Sequence, residues 1–402
     1  MMTIQGKTAA RILGVSLCAV LQLALPVYAE GAVLADQDVI TGGTYTAEEE
    51  DESVLEASGS VQAEVSGAVL EKVSGDATSV DDASFRGVNA AVRVYDEAEV
   101  TLSDCSISSS AENATGVFAY DNGIIHILDS EITITGGGSG GVQVAGGGTL
   151  YGTNLTVTSS GKAAIRSDKG GGTLVLDGGT YTSTGKNGCP AIYSTADITV
   201  NDAKCISENS RAVIIEGKNT VTVNNCDLSG NDQSTKEGSV KANVLLYQSA
   251  SGDASEGTSV FTMTGGSMVC SSGAMFYCTN TDSVINLSGA ELSLSDDGTL
   301  LIVSEGRWGK DGKNGGNCAL NADAQVLEGD IIVDEISSLE MTMTGSDFTG
   351  SVQSEGTVNI TMDTESTWTL TGDSSVSSLD GDLSGLDLNG YTLYVGGEEY
   401  QG

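Results

Sequence analysis

The residues best suited to chemistry in this 402-residue chain recur at steps of about 24. Arg93, Phe118, Gln143, Arg166 and Tyr193 follow one another at roughly that spacing, and Tyr95, Tyr120 and Asp168 stand two positions after Arg93, Phe118 and Arg166. Rings and guanidinium groups set in a column can stack on sugar rings and hydrogen-bond hydroxyls or carboxylates. The chain holds only 5 Phe, 2 Trp and 17 Lys plus Arg, so the column concentrates scarce residue types. The plainer account is strand propensity, since aromatic and long side chains favour half-exposed strands. Other chemistries find less material. His126 is the single histidine, no Cys-x-x-Cys pair occurs, and neither fits a zinc site. The pairs Asp81-Asp82 and Asp296-Asp297 read as turns.

Such a column needs a regular scaffold, and the sequence supplies one. An eight-residue phrase returns every 23 to 25 residues as VTLSDCSI (100–107), IHILDSEI (125–132), LYGTNLTV (150–157), LVLDGGTY (174–181), ITVNDAKC (198–205) and VTVNNCDL (221–228). It comes back as FTMTGGSM (261–268), INLSGAEL (285–292) and MTMTGSDF (341–348), with a weaker copy, TSVDDASF, at 78–85. Its apolar-x-apolar start is the period-2 mark of a strand with one buried face. The Asp, Asn or Gly in fifth place tolerates left-handed backbone and closes Asx turns. The fifth-place row (Asp104, Asp129, Asn154, Asp202, Asn225) therefore reads as stacked turns in preference to a row of metal ligands.

A second short strand follows each phrase, as at Leu155–Thr158 and Tyr181–Thr184. A third precedes the next Gly-rich lead-in: AAVRVY (90–95), GVFAY (116–120), GVQVA (141–145), AAIRS (163–167), PAIYS (190–194) and RAVII (211–215). Three strands and three turns per rung of about 24 residues predict an all-β chain, a right-handed parallel β-helix. Only two prolines occur, as suits a chain that is mostly ladder. On the third strand Val92, Val117, Val142 and Ile192 are expected to point inward, which turns the column of the opening paragraph outward.

Residues 1–29 read as a secretory signal peptide: Lys7 and Arg11, an apolar run from Ile12 to Leu25, then Val27-Tyr28-Ala29 before the cut. Residues 30–402 read as one β-helix domain: an acidic N-terminal cap and first rungs over 30–98, regular rungs over 99–350, and final rungs with a cap over 351–402. DVITGGTY (38–45) is expected to form a first rung, and the acidic run Ala47 to Glu56 a short capping helix or a solvated loop. Insertions are expected near 230–258 and at 306–316, the latter (GRWGKDGKNGG, with Trp308) as a protruding loop. With no second long apolar segment and no anchor motif at the C-terminus, the processed protein is expected outside the cell, at a bacterial surface and not inserted in the membrane.

Lys plus Arg 17 against Asp plus Glu 55 leaves a formal charge of −38, a field that repels nucleic acid and anionic membranes. The charge keeps a long stack of strands in solution, and uptake of calcium is the functional alternative; no other cofactor is expected. Cys105, Cys205 and Cys226 fall at inward positions as small core fillers, and Cys205 with Cys226, or Cys270 with Cys278, are the pairs that could bridge.

The array resembles the pectin-lyase-like superfamily of right-handed parallel β-helices, over nearly all of the chain after residue 29. The likeness is one of rung pattern, which carries architecture and not activity. It implies a place among polysaccharide lyases, galacturonan hydrolases, phage tailspikes or bacterial surface adhesins. The hydrolase pattern of Asn-Thr-Asp, Asp-Asp, Gly-His-Gly and Arg-Ile-Lys is missing, since His126 lacks flanking glycines and no Arg-Ile-Lys occurs. A lyase needs a basic residue beside calcium-bound carboxylates; Arg93, Arg166 and Lys204 are available, but no carboxylate cluster is tied to them. The expected function is therefore non-catalytic: surface display or binding of glycans, such as a host or cell-surface polysaccharide, through Arg93, Tyr95, Phe118, Tyr120, Gln143, Arg166 and Tyr193. The alternatives are a calcium-dependent lyase acting on acidic polysaccharide, and a structural stalk without a ligand.

Overall fold

The computed structural model describes residues 28–401 apart from 187 and 237; the expected signal peptide lies almost wholly outside them. Most rungs contribute one strand to each of three long parallel sheets, of 14, 11 and 13 strands, wound as a right-handed parallel β-helix. The phrase forms the first sheet, from Val39–Thr41 to Ser378–Gly381. The strand after it forms the second sheet, and the strand before the next lead-in forms the third, from Ala32–Val33 to Val352–Ser354. Near the C-terminal end a four-stranded parallel sheet (Val326–Glu328, Asp347–Thr349, Thr367–Thr369, Leu386–Asp387) forms after the 11-stranded one stops.

Register within the sheets follows the phrase. Val100 pairs with Ile125, Ile125 with Leu150, and Leu150 with Leu174, all fully buried. Asp104, Asp129, Asn154, Asp202 and Asn225 adopt left-handed backbone, with φ between 47° and 54°. Their side chains also join across rungs: Asn154 Nδ2 donates to Asp129 Oδ1 at 3.1 Å and Asn225 Nδ2 to Asp202 Oδ1 at 2.6 Å. On the third sheet Val92, Val117, Val142 and Ile192 are buried in the common core.

Three segments differ from expectation, two as added phrase copies and one as a copy that does not form. AEVSGAVL (63–70) makes the rung after the first, with Gly67 in fifth place at φ 61°. LNADAQVL (320–327) makes another, with Ala324 forced to φ 49° where Asp, Asn or Gly would be at ease. The supposed weak copy TSVDDASF is instead the helix α1, Val80–Arg86. Ser79 caps it by accepting from Asp82 N at 3.1 Å, and Gly87 ends it in the left-handed conformation. Asp81 and Asp82 are thus its first turn, where acidic side chains suit the helix dipole.

No helix forms over Ala47 to Glu56. Ala47 closes the strand Thr44–Ala47 and Leu55 opens the strand Leu55–Ser58, so the acidic residues between are a connecting turn. That turn is anchored by the buried Lys72, whose ammonium donates to Glu49 O at 2.6 Å. None of the seven described cysteines is bridged, so neither Cys205 with Cys226 nor Cys270 with Cys278 forms the bridge open to it. Cys278 and Cys318 make the closest sulfur contact, at 3.7 Å, inside the core.

Candidate functional site

The column singled out in the sequence exists in exact order. Along the third sheet Arg93 pairs with Phe118, Phe118 with Gln143, Gln143 with Arg166, and Arg166 with Tyr193. It is not the flat solvent-facing surface that alternation predicts, because α1 lies on it. Phe118 is fully buried and packs under Gly87, where an added Cβ would sit 2.5 Å from Phe118 Cγ. Gln143 is 1% exposed, and its amide Nε2 donates to Ser84 O in α1 at 2.9 Å. Arg93 Nε donates to Arg86 O at 2.9 Å and so holds the last turn of the helix. Arg93, Phe118 and Gln143 therefore dock a segment of their own chain, and the expectation that Phe118 and Gln143 meet a ligand directly is corrected.

Of the remaining column residues Tyr95, Tyr120, Arg166 and Tyr193 are half-buried, and Asp168 is buried. The Tyr95 hydroxyl donates to Glu56 Oε1 at 2.7 Å, with the Arg93 guanidinium 4.1 Å over its ring. Tyr120 packs beside Phe118 and Ala145 and lies against Gly146. Arg166 is clamped by Asp168, with Nε and Nη2 donating to Oδ2 at 3.0 and 2.7 Å. Burial works most strongly against its charge, but Asp168, with Tyr193 and Tyr247 adding, holds the guanidinium above its usual range. Its carbon Cζ lies 4.4 Å from the Tyr193 ring centre, within cation–π range.

Beyond Tyr193 the structure adds residues that spacing did not single out. Glu216, 2% exposed, ends the strand Val213–Glu216 and stands beside Tyr247 in the ladder. Its carboxylate accepts from the hydroxyls of Tyr193 and Tyr247, the latter at 2.8 Å, and from Ser249 and Ser251. Burial, then neighbouring charge, pushes both tyrosine hydroxyls upward, so they remain donors. Trp308 completes the cluster with its ring centre 4.4 Å from that of Tyr247. Its loop does not protrude freely; it folds back over the third sheet and leaves the indole half-exposed. The available signals were an acidic residue ending the apolar run VIIE, and one of only two tryptophans set among glycines.

Among the described residues no three His, Cys, Asp or Glu side chains converge as a cation site, and no helix is long and apolar enough to cross a membrane. A comparison with protein-family models finds no match, nor does one with curated proteins.

Proposed function

We propose that the protein is an extracellular, non-catalytic β-helix that binds glycans on the outer face of its third sheet, between α1 and the 304–316 loop. The observation that carries this is the run Arg166, Tyr193, Tyr247 and Trp308, which sets a guanidinium and three rings on one face of a chain poor in both. Half-exposed Tyr193 and Trp308 present ring surface of the kind that stacks on sugar C–H faces. On this reading the chain stands with the non-catalytic proteins of the pectin-lyase-like architecture, displayed at a bacterial surface.

The lyase alternative draws less support. Arg166 keeps its proton through Asp168, which leaves it a poor general base. Glu216 is buried, and its carboxylate is taken up by four hydroxyl donors. The test is binding of the purified protein to a glycan array, with supernatants assayed for unsaturated product. Expected is binding without product, weakened at least tenfold in Trp308→Ala, about 1.4 kcal/mol. Product release would overturn the non-catalytic reading, and no binding to any glycan would overturn the proposal itself.

A further inference from the structure

The regular step of 23 to 25 residues between phrases is broken twice in the middle of the chain, to 40 between 221 and 261 and to 35 between 285 and 320. Much of the extra chain forms loops at 248–258 and 304–316, which leave the third sheet from Ala242–Tyr247 and Thr299–Val303, the two strands on either side of Ala274–Thr279. Nothing in a repeat requires insertions from different rungs to meet, yet these two do. They line a cleft of about 650 Å³, within the range of small-ligand sites.

We propose that this cleft is the hydroxyl-reading part of the binding face and takes an uncharged stretch of glycan; the proposal rests on the glycan-binding reading above. Its walls carry hydrogen-bonding groups of both kinds: the carboxamides of Gln248 and Asn317, the Ser249 hydroxyl, the carboxylates of Glu256 and Asp282, and the Lys313 ammonium. Sugar hydroxyls donate and accept at once, so amides and carboxylates beside a single ammonium match them. Two carboxylates against one lysine leave the cleft negative, in a molecule of formal charge −38. Uronate or sulfate chains would enter against that field, whereas a neutral chain meets no such cost.

The cleft is continuous with the aromatic cluster. Ser249, on its wall, donates to Glu216, which also receives the Tyr193 and Tyr247 hydroxyls. Gly309, on the opposite loop, directly follows Trp308. Asp282 and Asn317 are already fixed to each other, Asn317 Nδ2 donating to Asp282 Oδ1 at 2.9 Å, so part of the wall is set in place before a ligand arrives.

The test titrates the whole protein with hexasaccharides of glucose, mannose and galactose, and in parallel with hexagalacturonate. Expected is binding of at least one neutral hexasaccharide and none of hexagalacturonate. Ala250→Trp, which fills the cleft from an exposed position, should weaken neutral binding more than tenfold with the melting temperature unchanged. Asp282→Asn, which removes charge without changing shape, is the second variant and should weaken it about threefold or more. Preference for hexagalacturonate overturns the inference, as does wild-type binding by both variants. If Trp308→Ala abolishes binding while both cleft variants retain it, glycan binding stands and the cleft assignment falls. Silence towards every probe here and on the array overturns both.

Discussion

Lys162 shows how residues near the column serve the fold. Its ammonium donates to Ser84 Oγ in α1 at 2.8 Å, and burial, with Arg166 adding, lowers its pKa to about 8, Asp168 opposing. Between pH 8 and the ordinary lysine value of 10.5 the unfolded chain binds more protons at this site than the folded one. Its contribution to stability therefore rises with pH across that window, and below pH 8 the cost of burying the charge is present in full. The difference in melting temperature between Lys162→Met and the parent should change between pH 7 and pH 10, the parent gaining relative to the variant; a difference independent of pH would contradict this. What the sequence revealed at this scale was local. Asp104 and its equivalents were readable as left-handed turn residues because backbone preference belongs to the residue itself. That Phe118 and Gln143 lie under cover was not readable, because alternation says which side of a sheet a residue faces and not what lies upon that side.

At the scale of elements, α1 is the piece that the repeat pattern concealed. Asp81-Asp82 sits where the phrase carries its turn, and Phe85 where it carries its last apolar residue, so eight residues fit two templates. Ser79 with Asp82, and Gly87 after Arg86, are the start and stop signals that decide for a helix. A seven-residue helix has little stability of its own and depends on docking. Gly87→Ala would place a methyl group against Phe118 at a left-handed position with φ 68°. We expect this variant to lose about 1 kcal/mol from the backbone alone, with more from the clash, and α1 to become the preferred site of limited proteolysis. Unfolding and proteolysis profiles matching the parent would show that the helix is not held in this way. The acidic run Ala47 to Glu56 failed the opposite way: its composition favours a helix, but Leu55 and Ala57 are committed to the third sheet by period-2 burial, leaving too few residues for one.

On the scale of the whole molecule, a solenoid holds each rung mainly through its neighbours, and it tolerates added chain wherever a turn can lengthen outward. Its C-terminal end is closed by the one antiparallel pair among the described strands, Leu393–Val395 with Glu398–Glu399 across Gly396-Gly397. That pairing turns the chain back on itself at the end of the stack. Architecture was legible because the phrase repeats; the cleft was not, because the two loops that build it share no pattern and meet only through the stacking of rungs. The account's central claim is that the third-sheet face is closed by α1 over its early rungs and open to a glycan where the two loops meet. Hydrogen–deuterium exchange with and without a saturating neutral hexasaccharide tests this most directly. Protection is predicted at 248–257 and 306–317, with exchange at 80–95 unchanged. Protection centred on 80–95, or no change anywhere on the third sheet with ligand bound, would contradict it.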